Sequence, residues 1–326
     1  MSSAITIKYK QQIITIMHRK NITTLCAAVL ITLGSCANNS KKQNDSADVV
    51  NVTHELGKTT VSVNPKKVFV YDMGTLESLQ DLGIPVAGIP KDFVPPHLQQ
   101  YKDDTKVADV GSILQPNLEK VSTLNPDLII ISALHANDYK QLTKIAPTIS
   151  LGVDNNNYKG SVVNNLNRIG EIFDIKDKTD QKIQVLEEEI ENAKKVISTQ
   201  PKKIMILLYN AGKYSTFGSK SRYGFVFSDL KAIPADENIE TDLHGTVVSG
   251  EYISKVNPDV LYIIDRNAIM PNYKVNKSEI ENMLVQKTNA YMNKAIYYLD
   301  PNIWYLSGGG TYSMNHMIAD ILQGYH

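Results

Sequence analysis

Residues 119–132 read Glu119-Lys-Val-Ser-Thr-Leu-Asn-Pro-Asp127-Leu-Ile-Ile-Ile-Ser132, and residues 251–264 read Glu251-Tyr-Ile-Ser-Lys-Val-Asn-Pro-Asp259-Val-Leu-Tyr-Ile-Ile264. Glu, Ser, Asn, Pro and Asp recur in the same order, 132 residues apart. Because proline cannot continue a helix and disfavours the helical conformation in the residue before it, each copy predicts a short helix that stops at Asn-Pro. The apolar run that follows is typical of a strand covered on both faces of a parallel sheet. The repeat therefore predicts two similar α/β lobes.

Strands and helices alternate on both sides of the first copy. The runs 68–71 and 86–89 predict two strands that flank a helix over 74–82, which is a right-handed βαβ unit. An amphipathic stripe over 180–198 predicts a helix of about 28 Å, long enough to run from one lobe to the other. We therefore predict an α/β protein with two Rossmann-like lobes, joined by one long backbone helix, and a ligand cleft between the lobes. The predicted boundaries are an N-terminal lobe at 59–176, an inter-lobe helix at 177–199 and a C-terminal lobe at 200–326.

The N-terminus has the features of an export signal. A basic segment at 18–20 precedes an apolar stretch at 23–33, which is too short to span a bilayer. It ends in Leu33-Gly34-Ser35-Cys36, which resembles a bacterial lipobox and implies a lipoprotein signal peptide at 1–36, lipidation of Cys36 and an extracytoplasmic, lipid-anchored location at the cell membrane. The other interpretation is a buried apolar helix with an incidental cysteine. The polar composition of residues 37–58 predicts a flexible tether.

Cysteine usage and charge exclude several classes of function. The chain has only Cys26 and Cys36, so a protein that begins at Cys36 has no disulfide and no free thiol for catalysis. Removal of the signal also removes four basic residues and leaves a net charge of −4, which argues against a nucleic acid partner. Sequence motifs of hydrolases and zinc enzymes are absent, so nothing in the sequence supports catalysis.

Arginine usage points to a binding site. The chain has 30 lysines but only four arginines, at positions 19, 168, 222 and 266. Ligands of open parallel sheets bind beyond the carboxyl ends of strands, and Arg266 stands at such an end, whereas Arg222 lies in the glycine-rich loop 217–224. Because the guanidinium fork suits bidentate contacts with anions, both residues are candidate ligand residues. A structural ion pair is the alternative interpretation.

Several stretches together resemble one family. They are 110–132, 217–224, 243–245, 265–267 and 300–306, along with the repeat and the lipobox. They resemble the helical-backbone (class III) substrate-binding proteins of ABC importers, and in particular the ferric catecholate siderophore-binding lipoproteins of the enterobactin and petrobactin type. The resemblance implies a binding protein with no enzymatic activity and no permanent cofactor, in which Fe(III) arrives as part of the siderophore.

The resemblance also implies roles for individual residues. Arg222 and Arg266 match arginines that hold the anionic complex, and His244 and Tyr305 match residues that coordinate iron when the siderophore offers only two catechols. A third arginine of the family is absent; Leu134 stands there, beside His135, which is a further candidate ligand residue.

Glu119 and Glu251 match the surface glutamates that dock onto the membrane permease, and we expect the protein to be a monomer. Two alternatives remain open at this point. One is the same scaffold with another metal chelate, such as a nickel or cobalt complex or a corrinoid. The other is an extracytoplasmic metal-dependent enzyme or chelatase.

Overall fold

The computed structural model describes residues 48–239 and 245–326. The predicted signal peptide, Cys36 and residues 37–47 of the predicted tether lie outside this range. Within the described residues, no helix combines the length and apolar composition that crossing a membrane requires.

The described chain begins with an antiparallel hairpin of β1 (Val49–His54) and β2 (Gly57–Ser62). The prediction of a tether up to residue 58 is therefore wrong from Val49 onward. Val52 and Val61 are buried on one face of the hairpin, and Ser150 donates a hydrogen bond of 2.7 Å to Glu55 in its turn. The hairpin forms because alternating apolar residues can bury one face even in a polar stretch.

The first lobe is built on a five-stranded parallel sheet of order β5-β4-β3-β6-β7. Its strands are β3 (Val68–Val70), β4 (Gly88–Ile89), β5 (Ala108–Asp109), β6 (Leu128–Ile131) and β7 (Thr148–Ser150). Its helices are α1 (Met73–Asp81), α2 (Gln99–Asp103), α3 (Leu118–Leu124), α4 (Tyr139–Leu142) and α5 (Tyr158–Ile172). The predicted α/β architecture is confirmed in this lobe.

A single helix, α6 (Lys176–Thr199), leads from the first sheet to the second. Its 24 residues extend about 36 Å, and it packs against α5 of the first lobe. Lys182 on α6 also forms an ion pair of 2.8 Å with Asp81 at the end of α1. This is the predicted backbone helix, with its start one residue earlier than the predicted boundary.

The second lobe has a six-stranded mixed sheet in which β8, β12 and β13 run parallel. Its strands are β8 (Lys203–Asn210), β9 (Lys213–Thr216), β10 (Ile233–Pro234), β11 (Thr246–Val248), β12 (Val260–Asp265) and β13 (Ile296–Leu299). Its helices are α7 (Phe225–Ser228), α8 (Gly250–Val256), α9 (Lys277–Ile280), α10 (Asn289–Met292) and α11 (Thr311–Leu322). The last of these packs on both α6 and α1.

The sequence repeat has the same local structure in both lobes. Asn125 and Asn257 end α3 and α8 in the left-handed conformation, with φ of 48° and 51°. The Oδ2 atom of Asp127 accepts hydrogen bonds from the backbone N–H groups of Lys66 and Lys67, just before β3, and Oδ2 of Asp259 accepts one from Lys203 at the start of β8. Each copy thus ends a helix, turns the chain and ties the following strand to the strand beside it.

Candidate functional site

The two lobes touch through the segments that follow their strands. Gly74, at the start of α1, lies so close to Gly308 and Gly310 that a Cβ atom at position 74 would clash with the carbonyl oxygen of Gly308. Gly308 and Gly309 have φ of 68° and 70°, a conformation that only glycine adopts readily. The carboxyl ends of strands in the two sheets therefore face each other, which is the arrangement that a ligand cleft between lobes requires.

A buried carboxylate fixes this junction. Glu77 on α1 has no exposed side-chain surface, and it accepts hydrogen bonds from Ser313 Oγ at 2.7 Å and from the Ser313 backbone N–H at 3.1 Å. His97 Nε2 lies 2.6 Å from the same carboxylate. Because Ser313 is in the first turn of α11, a carboxylate of the first lobe sits at the positive end of a helix of the second lobe. Nothing in the sequence singles out Glu77 for this role.

Two arginines of the second lobe lie close to the ring of Tyr305. The Cζ atoms of Arg222 and Arg266 are 4.9 Å and 5.1 Å from the centroid of its ring. Arg222 also donates a hydrogen bond of 3.0 Å to the backbone carbonyl of Tyr305. Cations at these distances are attracted to an aromatic face, so the three side chains hold one another in place. The structure thus brings together three of the residues that the sequence singled out.

Each of the three residues stands at an irregular point of the backbone. Tyr305 is in the π-helical segment Asn302–Ser307, and such segments are frequent at functional sites. Arg266 opens the 3₁₀ turn Arg266–Ile269 directly after β12, and its Nη1 atom donates to Asn210 Oδ1 at 3.3 Å, at the end of neighbouring β8. Its buried Nε–H has no acceptor among the described residues. An anionic ligand could supply that acceptor.

Tyr158 is a neighbour of this group that sequence analysis missed. It begins α5 of the first lobe, and its ring centroid lies 5.1 Å from that of Phe225 in the second lobe. Burial raises the pKa of its hydroxyl well above the usual value, and the charge of Arg222 opposes this shift only in part. Tyr158 therefore stays protonated and acts as a neutral inter-lobe contact. No local sequence signal distinguishes it from the many other tyrosines of the chain.

The prediction that His135 contacts the ligand is not supported by its position. It closes the 3₁₀ turn Ala133–His135, where the side chain is fully buried against Tyr71, with ring centroids 5.0 Å apart. This burial lowers the pKa of the imidazole. The adjacent Leu134 is the residue that points to solvent, with 60% of its surface exposed. His244 lies outside the described residues.

The two repeat glutamates occupy equivalent, exposed positions. Glu119 is in the first turn of α3, which Asn117 caps, and Glu251 is in the first turn of α8, which Ser249 caps. Each helix leads back into the strand behind it, so its first turn lies toward the edge at which the parallel strands end. Hydrogen bonds from its own backbone N–H and from Ser249 lower the pKa of Glu251. Both carboxylates are therefore available to a partner beside the cleft.

A preformed metal centre is not found in the described part of the chain, which lacks any group of three or more His, Cys, Asp or Glu side chains with suitable geometry. A phenol flanked by two guanidinium groups can instead receive an anion that brings its own metal. The site so described fits recognition of an anionic complex better than capture of a free cation.

Comparisons with known proteins agree with this geometry. A family model described as periplasmic binding protein matches residues 68–303. The chain is 43% identical over 307 residues to the petrobactin-binding protein YclQ of Bacillus subtilis, an alignment that covers 93% of this chain and 96% of YclQ. The crystal structure of YclQ matches with a TM-score of 0.82 over 86% of this chain and 99% of that one.

Two further solved structures are similar over the same region. The siderophore-binding protein BauB, bound to a complex of two acinetobactin molecules and ferric iron, is 36% identical, with a TM-score of 0.81 over 86% of this chain and 99% of that one. The periplasmic catecholate-siderophore-binding protein VctP of Vibrio cholerae is 31% identical, with a TM-score of 0.80 over 85% of this chain and all of that one.

Proposed function

Because this chain belongs to the periplasmic binding protein family, we propose that it captures a ferric catecholate siderophore outside the cytoplasm and delivers it to an ABC permease for iron uptake. The names of similar proteins support this proposal, since YclQ is a petrobactin-binding protein and VctP is a catecholate-siderophore-binding protein. In this role the chain is a binding protein and performs no chemical step.

The convergence of Arg222 and Arg266 on Tyr305 is the observation on which the proposal depends. Ferric catecholates are anionic, and charge-assisted hydrogen bonds from guanidinium groups to their oxygens are short and directional. Two arginines on one side of the cleft would therefore both attract the complex and fix its orientation. Lysines, which the chain uses elsewhere for its positive charge, would supply attraction without the planar fork.

Tyr305 has a second role in this proposal, as a direct ligand of the iron. Fe(III) is a hard cation that favours phenolate oxygen and accepts imidazole nitrogen, and a bound cation favours the deprotonated form of its ligand. A siderophore with two catechols leaves two of six coordination positions free. Tyr305 and His244 would fill them, and the iron would remain the cargo of the protein.

Glu119 and Glu251 would meet basic residues of the permease, one from each lobe, and a lipid on Cys36 would keep the monomeric protein at the membrane. The lipid anchor has a simple test. Cys36→Ser should leave the signal uncleaved or release the protein from the membrane, as fractionation and mass spectrometry would detect. Normal processing with unchanged membrane retention would refute the anchor.

Binding itself is tested by titration of the purified protein with a ferric bis-catecholate and, separately, with a nickel–histidine complex. Trp304 provides the signal, because it is fully buried next to Tyr305 and is the only tryptophan of the chain. The ferric complex should quench its fluorescence and the nickel complex should not. Quenching by the nickel complex alone would show that the ligand is another metal chelate and not a ferric siderophore.

A further inference from the structure

The two lobes present different chemistry at the edges where their strands end. The second lobe contributes Arg222 and Arg266. The corresponding loops of the first lobe are residues 90–95, 110–117, 132–138 and 151–157. These four loops contain a single lysine, Lys91, and its Nζ atom donates to the carbonyl oxygen of Asp104 at 2.8 Å. Positive charge therefore comes to the cleft from one side.

At this edge the first lobe has exposed apolar side chains and no arginine. Phe93 follows β4 with 43% of its surface exposed, Leu114 follows β5 with 71%, and Leu134 follows β6 with 60%. Most large apolar residues of the described chain are buried, so exposed ones at the edge of a sheet where ligands bind are candidates for ligand contact. Three successive loops at the same edge of one sheet each contribute one such residue. We call Phe93, Leu114 and Leu134 the apolar rim.

The loops of the apolar rim are held in fixed positions. Asp92 Oδ1 accepts a hydrogen bond of 2.8 Å from the backbone N–H of Ile113, which ties the loop after β4 to the loop after β5. Phe93 has φ of 44°, a left-handed conformation that is strained for a bulky residue and that tends to persist at ligand sites. Tyr71 donates a hydrogen bond of 2.9 Å to the carbonyl oxygen of Val110 and packs against buried His135, the residue after Leu134. The rim is thus preorganised.

From this asymmetry we propose that the ligand is an amphipathic ferric chelate, an inference that rests on the proposed function. Its anionic catecholate end lies against Arg222, Arg266 and Tyr305, and an uncharged apolar or aromatic arm packs on the apolar rim. A complex with negative charge on every side would have to lose water from charged oxygens against Phe93 and Leu134 without gaining any partner there. The rim therefore selects against evenly charged chelates.

Two synthetic chelators with the same pair of catechols test this proposal. One has a phenylalkyl arm and the other a polyhydroxyl arm of similar length, so that the ferric complexes have equal charge. The wild-type protein should bind the phenylalkyl complex about tenfold more tightly, as measured by Trp304 quenching. Phe93→Ser and Leu134→Ser should each reduce this ratio several-fold. The Leu134→Arg variant should bind a ferric tris-catecholate more tightly than the wild type does. Thermal unfolding of each variant checks that it is folded.

Val185→Ser is the matched control, because Val185 is a half-exposed apolar residue on α6 and should leave the ratio unchanged. Equal affinities for the two complexes, unaffected by the rim variants, would refute the proposal that the ligand is amphipathic. The proposed function would stand. Failure to bind either complex would remove the proposed function and this inference with it.

Discussion

The Cζ atom of Arg266 lies 5.1 Å from the centroid of the Tyr305 ring, although 39 positions separate the two residues in the chain. Arg266 follows β12 and Tyr305 follows β13, and these strands are parallel neighbours in the sheet. Their proximity is thus a direct result of strand order. Arg222 also lies close to this ring, at 4.9 Å, so the phenol and the two cations form one unit. The three residues should respond differently to substitution.

Replacement of either arginine should weaken binding of a ferric bis-catecholate. Arg222→Ala and Arg266→Ala each remove charge-assisted hydrogen bonds worth about 1.5–3 kcal/mol, which corresponds to a loss of affinity of about 10- to 150-fold. Replacement by lysine should restore only part of the lost affinity, because lysine lacks the planar guanidinium fork. Arg168→Ala is the control, since Arg168 bonds to Asn165 on α5. Full rescue by lysine in a fluorescence titration would mean that a point charge suffices.

Tyr305→Phe separates coordination from packing. The variant keeps the ring beside the two arginines and removes the oxygen, so it should weaken binding of a bis-catecholate and shift the charge-transfer band of the complex. Binding of a tris-catecholate, which leaves no coordination position free, should change little. Equal losses for both ligands would show that Tyr305 only packs the cleft.

Glu119→Ala combined with Glu251→Ala should block uptake and leave ligand affinity unchanged. Both side chains are exposed and lie at the starts of short helices, so the fold should tolerate their loss. Transport of iron-55 complexed with the siderophore into cells measures the effect. The double variant Glu188→Ala and Glu189→Ala, on the exposed face of α6, is the control for lost negative charge. Undiminished uptake would refute the docking role.

Glu77→Gln should lower the free energy of unfolding by about 1.5–3 kcal/mol, because the buried carboxylate bonds to Ser313 and lies against His97. Urea denaturation followed by circular dichroism measures this loss. Glu189→Gln, at an exposed site, should leave the midpoint within error of the wild type. A Glu77→Gln protein with an unchanged midpoint would show that this junction contributes little to stability.

Asp72 should make stability depend on pH in the acid range. It caps α1 by accepting a hydrogen bond of 2.7 Å from the Thr75 backbone N–H, and burial raises its pKa from 3.8 to about 6 despite this bond. Because the folded-state pKa is the higher one, its favourable contribution is complete below about pH 3.8 and is lost as pH rises through 6. Asp72→Asn keeps a side-chain oxygen that can accept the capping hydrogen bond, but this side chain does not titrate.

The variant should therefore gain stability relative to the wild type between pH 4 and 6, by at most about 1.4 kcal/mol per pH unit. Urea midpoints at several pH values give this difference. Curves that run parallel for the two proteins across the range would show that the Asp72 pKa is not shifted.

The α/β fold could be predicted because its signals are local. The Asn-Pro-Asp repeat ends each helix in the left-handed conformation and begins each buried strand, as the physics of those residues requires. The hairpin at β1 and β2 was missed because polar composition masked an alternation of apolar residues. Alternation is the more direct signal, since it reports which face can be buried.

The site was predictable only in part. Strand ends and scarce arginines pointed to Arg222 and Arg266 as candidates. A 3₁₀ turn decides which of two adjacent residues faces outward, and sequence does not show that Leu134 is exposed and His135 buried. Glu77 and Ser313 meet across 236 positions of the chain, so no local pattern could pair them. Contacts of this kind depend on how two finished lobes pack.

The backbone contact between Gly74 and Gly308 affects how the permease can tell the loaded protein from the empty one. A binding protein whose lobes close around the ligand signals its loaded state by a change of conformation. Here the lobes already meet backbone to backbone and share the buried Glu77, so a large movement between them would have to break these contacts. The loaded and empty forms would then differ mainly in the exposed surface of the bound siderophore. The permease would have to distinguish the two forms by direct contact with that siderophore.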